Sequence, residues 1–222
     1  MDRQFDLVLF DLGGVIGELD REAMLKVWKA ARLDPGPALG FWRSGYQSDD
    51  GDSHPLHRAE RGELSLEEFL ALAEPVAPGV SHLVDPSRPT AMLRFVRPSE
   101  SWAELALEIR KSGTRIGALS NAFPGLDSQV MMTHNPTMEK HVVGLFGEDR
   151  LESLRLGMRK PNSEVFLVAA QHFDVRPERI LFIDDEASNC EGATRAGLTS
   201  VHCVPCEEEL AQQQTRHLLR LE

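Results

Sequence analysis

Three cysteines in 222 residues are too few to staple the chain, and they are bunched as Cys190, Cys203 and Cys206. A disulfide framework is therefore excluded. Cys203 and Cys206 form a Cys-x-x-Cys pair beside His202, but a closed zinc site needs four ligands and no second pair exists. No stretch is apolar over membrane-spanning length, and Met1-Asp2-Arg3-Gln4 lacks the basic start and apolar run of an export signal. The expectation is a cytoplasmic protein without a membrane partner. Basic residues are also scarce: 24 Lys and Arg against 35 Asp and Glu give a formal net charge of −11, which repels nucleic acid and anionic lipid. An anionic substrate then requires a local positive group or a metal. Alternating apolar and polar residues are missing between about residues 18 and 97, so that stretch reads as helical throughout.

What is present, 41% hydrophobic and 27% charged residues, suits one sizeable globular domain or a core with an inserted subdomain. The chain is organised around the run from Phe5 to Ile16. Val8, Leu9 and Phe10 form too short an apolar block for a helix and read as a strand buried on both faces. Asp11 then stands at the strand's carboxyl end, where open α/β sheets bind ligands, followed by Gly13 and Gly14, which let a ligand approach the backbone. The same Asp-x-Gly-Gly is ordinary turn chemistry. Asp20 can cap a helix carrying Met24, Trp28 and Ala31, ended by Asp34-Pro35-Gly36-Pro37. The polar run Ser48 to Ser53 reads as a loop, and Ser65 to Glu68 as a capping box opening a helix with Leu66, Phe69, Leu70 and Leu72. After Pro98, strands alternate with helices. Ser101 to Glu104 reads as a second capping box, with Leu105 and Ile109 on the buried face and Gly113 as the stop. A strand from Arg115 to Leu119 ends in Ser120-Asn121, and Pro161 is expected as the first residue of a helix reaching Phe173. A strand from Ile180 to Ile183 ends in Asp184-Asp185. A helix from Ala187 to Ala196 is stopped by Gly197, and Thr199 to Val204 is the last strand. This alternation implies an α/β fold, a doubly wound parallel, Rossmann-like sheet built from residues 1–17 and 98–222, with a helical insert at 18–97.

Three strand ends therefore bring chemistry to one crevice: Asp11, Ser120-Asn121 and Asp184-Asp185, joined by Arg159-Lys160-Pro161. Paired carboxylates at a buried strand end repel one another, and the remedies are protonation, a basic partner or a hard divalent cation. Oxygen ligands suit magnesium, which keeps several waters and leaves room for a substrate phosphate. Asp184 and Asp185 could instead cap the following helix, and Lys160 alone is an ordinary surface lysine. In company, Lys160 can neutralise a phosphate while Ser120 Oγ and the Asn121 backbone N–H donate to it.

At these residues the sequence resembles the haloacid dehalogenase superfamily. The motifs stand in order as Phe10-Asp11-Leu12-Gly13-Gly14-Val15, Leu119-Ser120-Asn121, Gly157-Met158-Arg159-Lys160-Pro161, and Ile183-Asp184-Asp185 with Asn189 beyond. The resemblance implies that 18–97 is a mobile cap inserted after the first motif. It also implies that Asp11 is a nucleophile forming an aspartyl-phosphate, and that Ser120 and Lys160 hold the phosphoryl oxygens. Magnesium would take the Asp11 carboxylate, the Gly13 carbonyl and Asp185, with Asp184 direct or through water.

One residue departs from the pattern. The family's phosphatases carry an acid two residues after the nucleophile, and here that place is Gly13. Three readings follow: a magnesium-dependent phosphatase of a small phosphorylated metabolite, such as a sugar phosphate; a haloacid dehalogenase acting on a carbon–halogen bond; and a noncatalytic relative binding a phosphorylated ligand or a protein. The Asp184-Asp185 pair favours the first. A substitute acid would come from Tyr46, His54, His57 or Glu60 in the insert, although a polar loop is also where exposed histidines ordinarily lie. Neither the substrate's identity nor the oligomeric state is written in these motifs.

Overall fold

The computed structural model describes residues 4–47 and 53–221. Of the polar run Ser48 to Ser53, residues 48–52 lie outside the described residues. Seven strands are present among those described: β1 (Leu7–Phe10), β2 (Gly17–Leu19), β3 (Val96–Pro98), β4 (Arg115–Ser120), β5 (Arg150–Glu152), β6 (Ile180–Asp184) and β7 (Thr199–His202). Five of them make one parallel sheet in the order β5-β4-β1-β6-β7. Strands β1 and β6 and the middle of β4 are apolar on both faces because helices cover both. Val8 and Phe10 join Ile116, Ala118, Leu181, Ile183 and Val201 in one core cluster, while Leu7 and Leu9 join Leu119, Ile180 and Phe182 in the other. The central strand β1 thus buries every residue, and its register fixes the site. Phe10 pairs with Ala118 on one side and with Ile183 on the other, so Asp11 emerges level with Asp184, and Ser120 leaves the same sheet edge.

The segment between β2 and β3 carries the helices Arg21–Ala30, Gly36–Gln47, Pro55–Glu60, Leu66–Ala73 and Val80–Val84. They enclose a third apolar cluster around Trp28, Leu56 and Phe69, which also takes in Phe123 from the loop after β4. Asp20 caps the first helix, its Oδ1 accepting from Ala23 N at 2.8 Å, with Met24 and Trp28 buried. Ala31, expected on the same face, is exposed because the helix stops at Ala30. The Ser65–Glu68 capping box forms as read. The stretch is not helical throughout. β2 and β3 pair antiparallel where the chain enters and leaves it, and three-residue strands are too short to show an alternating pattern.

Two other helix starts differ from the sequence reading. The helix Glu100–Lys111 begins after Ser99, and Ser101 lies in its first turn with its hydroxyl accepting from Gln212 Nε2 at 2.9 Å, so no second capping box forms. Gln212 belongs to the helix Glu208–Leu219, which the sequence reading did not foresee. The helix expected from Pro161 begins at Ser163. Asn162 is its cap, accepting from Glu164 N at 3.0 Å, and Pro161 follows a cis peptide bond from Lys160. An Asn one residue on satisfies an orphan amide that proline cannot, and it sets the boundary. β7 ends at His202, two residues early.

Gly192 sets the distance between the helix Ala187–Arg195 and the Lys160–Pro161 turn. A Cβ built on it would lie 2.2 Å from the Pro161 carbonyl oxygen, so helix and turn must touch there. Gly192→Ala is expected to lower stability by about 1–3 kcal/mol, the usual cost of overpacking. Urea or thermal unfolding measures it, and an unchanged midpoint would show that helix and turn are not in contact.

Candidate active site

Asp11, Lys160, Asp184 and Asp185 meet at the carboxyl edge of the sheet. Asp11 is one residue past β1, its backbone N–H donating to Ile183 O at 2.8 Å, which ties it to the end of β6. Lys160 Nζ lies 2.8 Å from Asp11 Oδ1 and 2.6 Å from Asp184 Oδ2, and only 1% of the lysine is exposed. It is no surface lysine. The contact with Asp11 is one of charge: Asp11 Oδ1 is buried and receives no well-directed hydrogen bond.

Asp184 is saturated by protein donors. Its Oδ2 accepts from Lys160, and its Oδ1 accepts from Glu186 N at 2.8 Å and Asn189 Nδ2 at 3.0 Å. The contact to Glu186 N is a local turn ahead of the helix Ala187–Arg195, whose N-cap position is held by Glu186 without a side-chain cap bond, so neither aspartate of the pair caps that helix. Asn189 thereby acquires a task the sequence did not show, that of fixing the Asp184 carboxylate.

Asn121 also works through structure. Its side chain donates to Lys160 O at 3.0 Å and accepts from Lys160 N at 2.9 Å, clamping the backbone that carries the ammonium. Its own backbone N–H has no hydrogen-bond partner among the described residues. Ser120 is the last residue of β4, partly buried beside it.

The two glycines divide their tasks. Gly14 has φ +72°, and a Cβ there would fall 2.1 Å from Asp185 Oδ2, so this glycine exists to let the Asp185 carboxylate approach the chain. Gly13 has open space where a Cβ would go.

Among the described residues, Asp11, Asp184 and Asp185 are the one group of His, Cys, Asp and Glu side chains whose ligand atoms lie close enough to share a cation, all within 4.8 Å of one another. Crowding shows in their proton affinities. Burial raises Asp11 to about 7 against the pull of Lys160, with Asp184 adding to the rise. Burial, then Asp11 and Asp184, raise Asp185 to about 8. Burial works against the charge on Lys160, but Asp11 and Asp184 outweigh it and hold the ammonium well above its ordinary range. Three carboxylates facing one ammonium leave negative charge that a divalent cation would offset.

Cys203, His202 and Cys206 are not members of this carboxylate cluster. Burial pushes the Cys203 thiol up to about 12, Cys206 is exposed, and His202 Nε2 donates to the Asp185 carbonyl at 2.9 Å. A thiol so hard to ionise is a poor nucleophile and a poor redox partner.

The four residues of the helical segment singled out as acids fare differently. His57 Nε2 donates to Gly45 O, and His54 Nδ1 accepts from Leu56 N at 3.2 Å, so both serve the segment's own structure. Glu60 faces the core. Its Oε2 lies 2.5 Å from Arg159 Nε and its Oε1 accepts from Tyr46 Oη at 3.2 Å. The Glu60–Arg159 pair joins residues 99 apart in sequence, and no local signal announces it.

The profile of the haloacid dehalogenase-like hydrolases matches residues 5–197. A glyceraldehyde 3-phosphate phosphatase of Methanopyrus kandleri is 24% identical over 154 residues, 68% of this chain and 59% of that protein. Acyl-CoA dehydrogenase family member 10 of Mus musculus is 24% identical over 208 residues, 90% of this chain and 18% of that protein. The chain thus spans less than two thirds of either relative. A predicted HAD-like family hydrolase from Porphyromonas gingivalis superposes with a TM-score of 0.69 at 22% identity, covering 99% of this chain and 100% of that one. A HAD family enzyme from Bacteroides thetaiotaomicron, in complex with magnesium and inorganic phosphate, superposes with a TM-score of 0.62 at 24% identity, covering 91% and 96%. Among the described residues no helix is long and apolar enough to cross a membrane. With the profile running from before β1 to the end of the helix after β6, and its segments meeting at one sheet edge, the chain belongs to the haloacid dehalogenase-like hydrolases.

Proposed function

We propose that this hydrolase is a magnesium-dependent phosphatase of a small phosphorylated metabolite, with Asp11 as nucleophile. The observation that carries the reading is the Lys160 ammonium set between Asp11 and Asp184 with Asp185 alongside, three carboxylates sharing one ammonium. An anionic phosphoryl group meets a lysine there and needs one cation more. A halide-releasing reaction gives the third carboxylate no task. The phosphatase from M. kandleri and the magnesium and phosphate complex of the B. thetaiotaomicron enzyme support the same reading. Residues 1–17 and 98–222 form the core in this reading, and 18–97 the cap that covers it.

The roles in this reading are those the family resemblance implies. An Asp11 oxygen attacks phosphorus, an Asp11 O–P bond forms, and the ester P–O bond breaks with its electron pair going to the leaving oxygen. Water then cleaves the acyl phosphate, returning the carboxylate and releasing inorganic phosphate. Ser120 Oγ and the Asn121 backbone N–H donate to the phosphoryl oxygens, and Lys160 neutralises their charge. Asp11, Asp185 and the Gly13 carbonyl would hold magnesium directly. Asp184, its oxygens engaged by Lys160, Asn189 and Glu186, would meet it through water. Bound there, the cation would offset the repulsion between the Asp11 carboxylate and the phosphate dianion.

A panel of phosphorylated metabolites, assayed for phosphate release with magnesium and with chelator, tests the reading; release that is unaffected by chelator, or absent from every compound, overturns it. In the same assay Asp11→Asn is expected to lower turnover by at least about 10³-fold with the fold intact, since an amide is a poor nucleophile of nearly the same shape.

The raised carboxyls give a pH signature. Asp11 at about 7 and Asp185 at about 8 hold protons in the folded state that the unfolded chain has lost above about 4. Metal-free protein therefore loses stability as pH rises from about 4 to 8. Magnesium relieves that loss, so the rise in melting temperature it produces should be larger at about pH 8.5 than at about pH 5.5. Thermal melts of wild type and Asp185→Asn check this: the variant should show a flatter metal-free profile and little response to the cation.

Open space at Gly13 generates the last expectation. Gly13→Asp should fold, and by supplying a general acid should speed cleavage of alkyl phosphates by about tenfold or more while leaving activated aryl phosphates nearly unchanged. Equal effects on both classes would show that leaving-group protonation does not limit the reaction.

A further inference from the structure

Glu60 ends the helix Pro55–Glu60 and is held to the core by its side chain and by its backbone. The carboxylate is fully engaged: Oε2 accepts from Arg159 Nε, and Oε1 accepts from Tyr46 Oη at 3.2 Å. The Glu60 carbonyl accepts from Ser153 Oγ at 2.7 Å, and the same Oγ accepts from Ala122 N at 2.9 Å. Arg159 precedes Lys160, and Ala122 follows Asn121. Asn121 in turn is bonded twice to the Lys160 backbone, at 3.0 and 2.9 Å. The contacts therefore close a ring that runs from Glu60 through Arg159, Lys160, Asn121, Ala122 and Ser153 back to Glu60.

Every member of the ring is buried except Asn121, which is partly exposed. Where water cannot replace a lost partner, each hydrogen bond restrains the next. Phe123, the residue after Ala122, pulls the same way. It is buried in the helical segment's own apolar cluster, its ring 5.2 Å from that of Trp42 and 4.7 Å from that of Phe69. The loop after β4 is thus built into the helical segment. What ring and loop carry is one half of the site: Ser120, the Asn121 N–H and the Lys160 ammonium. Asp11 and Asp185 belong to the other half, next to the ends of β1 and β6, where the Asp11 N–H is tied to Ile183 O.

We propose that Glu60 is a positioning residue for phosphoryl binding, which by closing this ring holds the Ser120–Asn121 loop and Lys160 in register while touching no substrate itself. The proposal rests on the phosphatase reading for the ligand, and adds that the helical segment is a working part of the oxyanion site.

The test is calorimetric binding of inorganic phosphate in saturating magnesium, and of magnesium alone. Glu60→Leu combined with Arg159→Met removes both charges together, because an apolar pair of similar volume is tolerated in a core whereas a single stranded charge is not. Phosphate affinity is expected to fall about tenfold, the worth of one hydrogen bond from a charged donor. Magnesium affinity should hold or rise, since an ammonium no longer fixed against Asp11 offsets less of its charge. A pair that serves stability alone leaves the folded variant's phosphate affinity at the wild-type level, and general loosening weakens both ligands; either result overturns the proposal. If the double variant does not fold, Ser153→Ala, which opens the ring at its other link, is read in the same way. A wild type that fails to bind phosphate or magnesium sinks the phosphatase reading instead, and a crystal structure of the folded variant then decides the positioning claim. Lys160 Nζ displaced from its place between Asp11 and Asp184 upholds that claim, and an unmoved ammonium overturns it.

Discussion

Lys160 Nζ sits between Asp11 and Asp184 at 2.8 and 2.6 Å, and taking it away would leave two buried carboxylates facing one another. Such a buried ion is tolerated only when geometry and further hydrogen bonds make up the desolvation it suffers. Much of the surrounding structure can be understood as meeting that condition. Asn121 clamps the lysine's backbone with two hydrogen bonds, and Asn189 with the Glu186 N–H holds the Asp184 carboxylate. Gly192 lets a helix come close enough to brace the Lys160–Pro161 turn.

The same crowding makes the site useful. A carboxylate whose charge is only partly compensated binds protons at higher pH, and it also binds cations and oxyanion complexes that bring their own positive charge. Asp185 is the group left over after Lys160 has been shared, and Gly14 is shaped around it, with no room for a side chain against its oxygens. The arrangement spends protein stability on an electrostatic arrangement that a metal and a phosphate would complete, which is a common property of catalytic centres.

The helical segment is attached to this centre by Glu60 and Arg159 and by the apolar contact of Phe123 with Phe69 and Trp42. Arg159 and Lys160 are consecutive, so one dipeptide holds the segment with its first side chain and the nucleophile with its second. Any displacement of the segment would strip a buried guanidinium of its partner, which costs several kcal/mol unless water enters, roughly 3–5 kcal/mol in comparable pairs. The helical segment and the site's ammonium are thus held by neighbouring residues of one dipeptide.

The sequence by itself determined the parallel sheet, because apolar runs of four or five residues ending in Asp or Ser admit few alternatives once helices separate them. It also brought Asp11, Ser120, Lys160, Asp184 and Asp185 to notice, since each stands at the end of such a run or in a motif of fixed order. Boundaries set by competing local groups were less legible: Ser101 and Pro161 looked like helix starts, yet Ser99 and Asn162 precede the helices that form. Short elements such as β2, β3 and β5 leave no periodic trace. Only the tertiary structure decided which lysine neighbour reaches Glu60, that Gly14 makes room for Asp185 rather than for a ligand, and that Tyr46 gives its proton to Glu60. Those facts depend on distances between residues far apart in the chain, and packing sets such distances where no local propensity can.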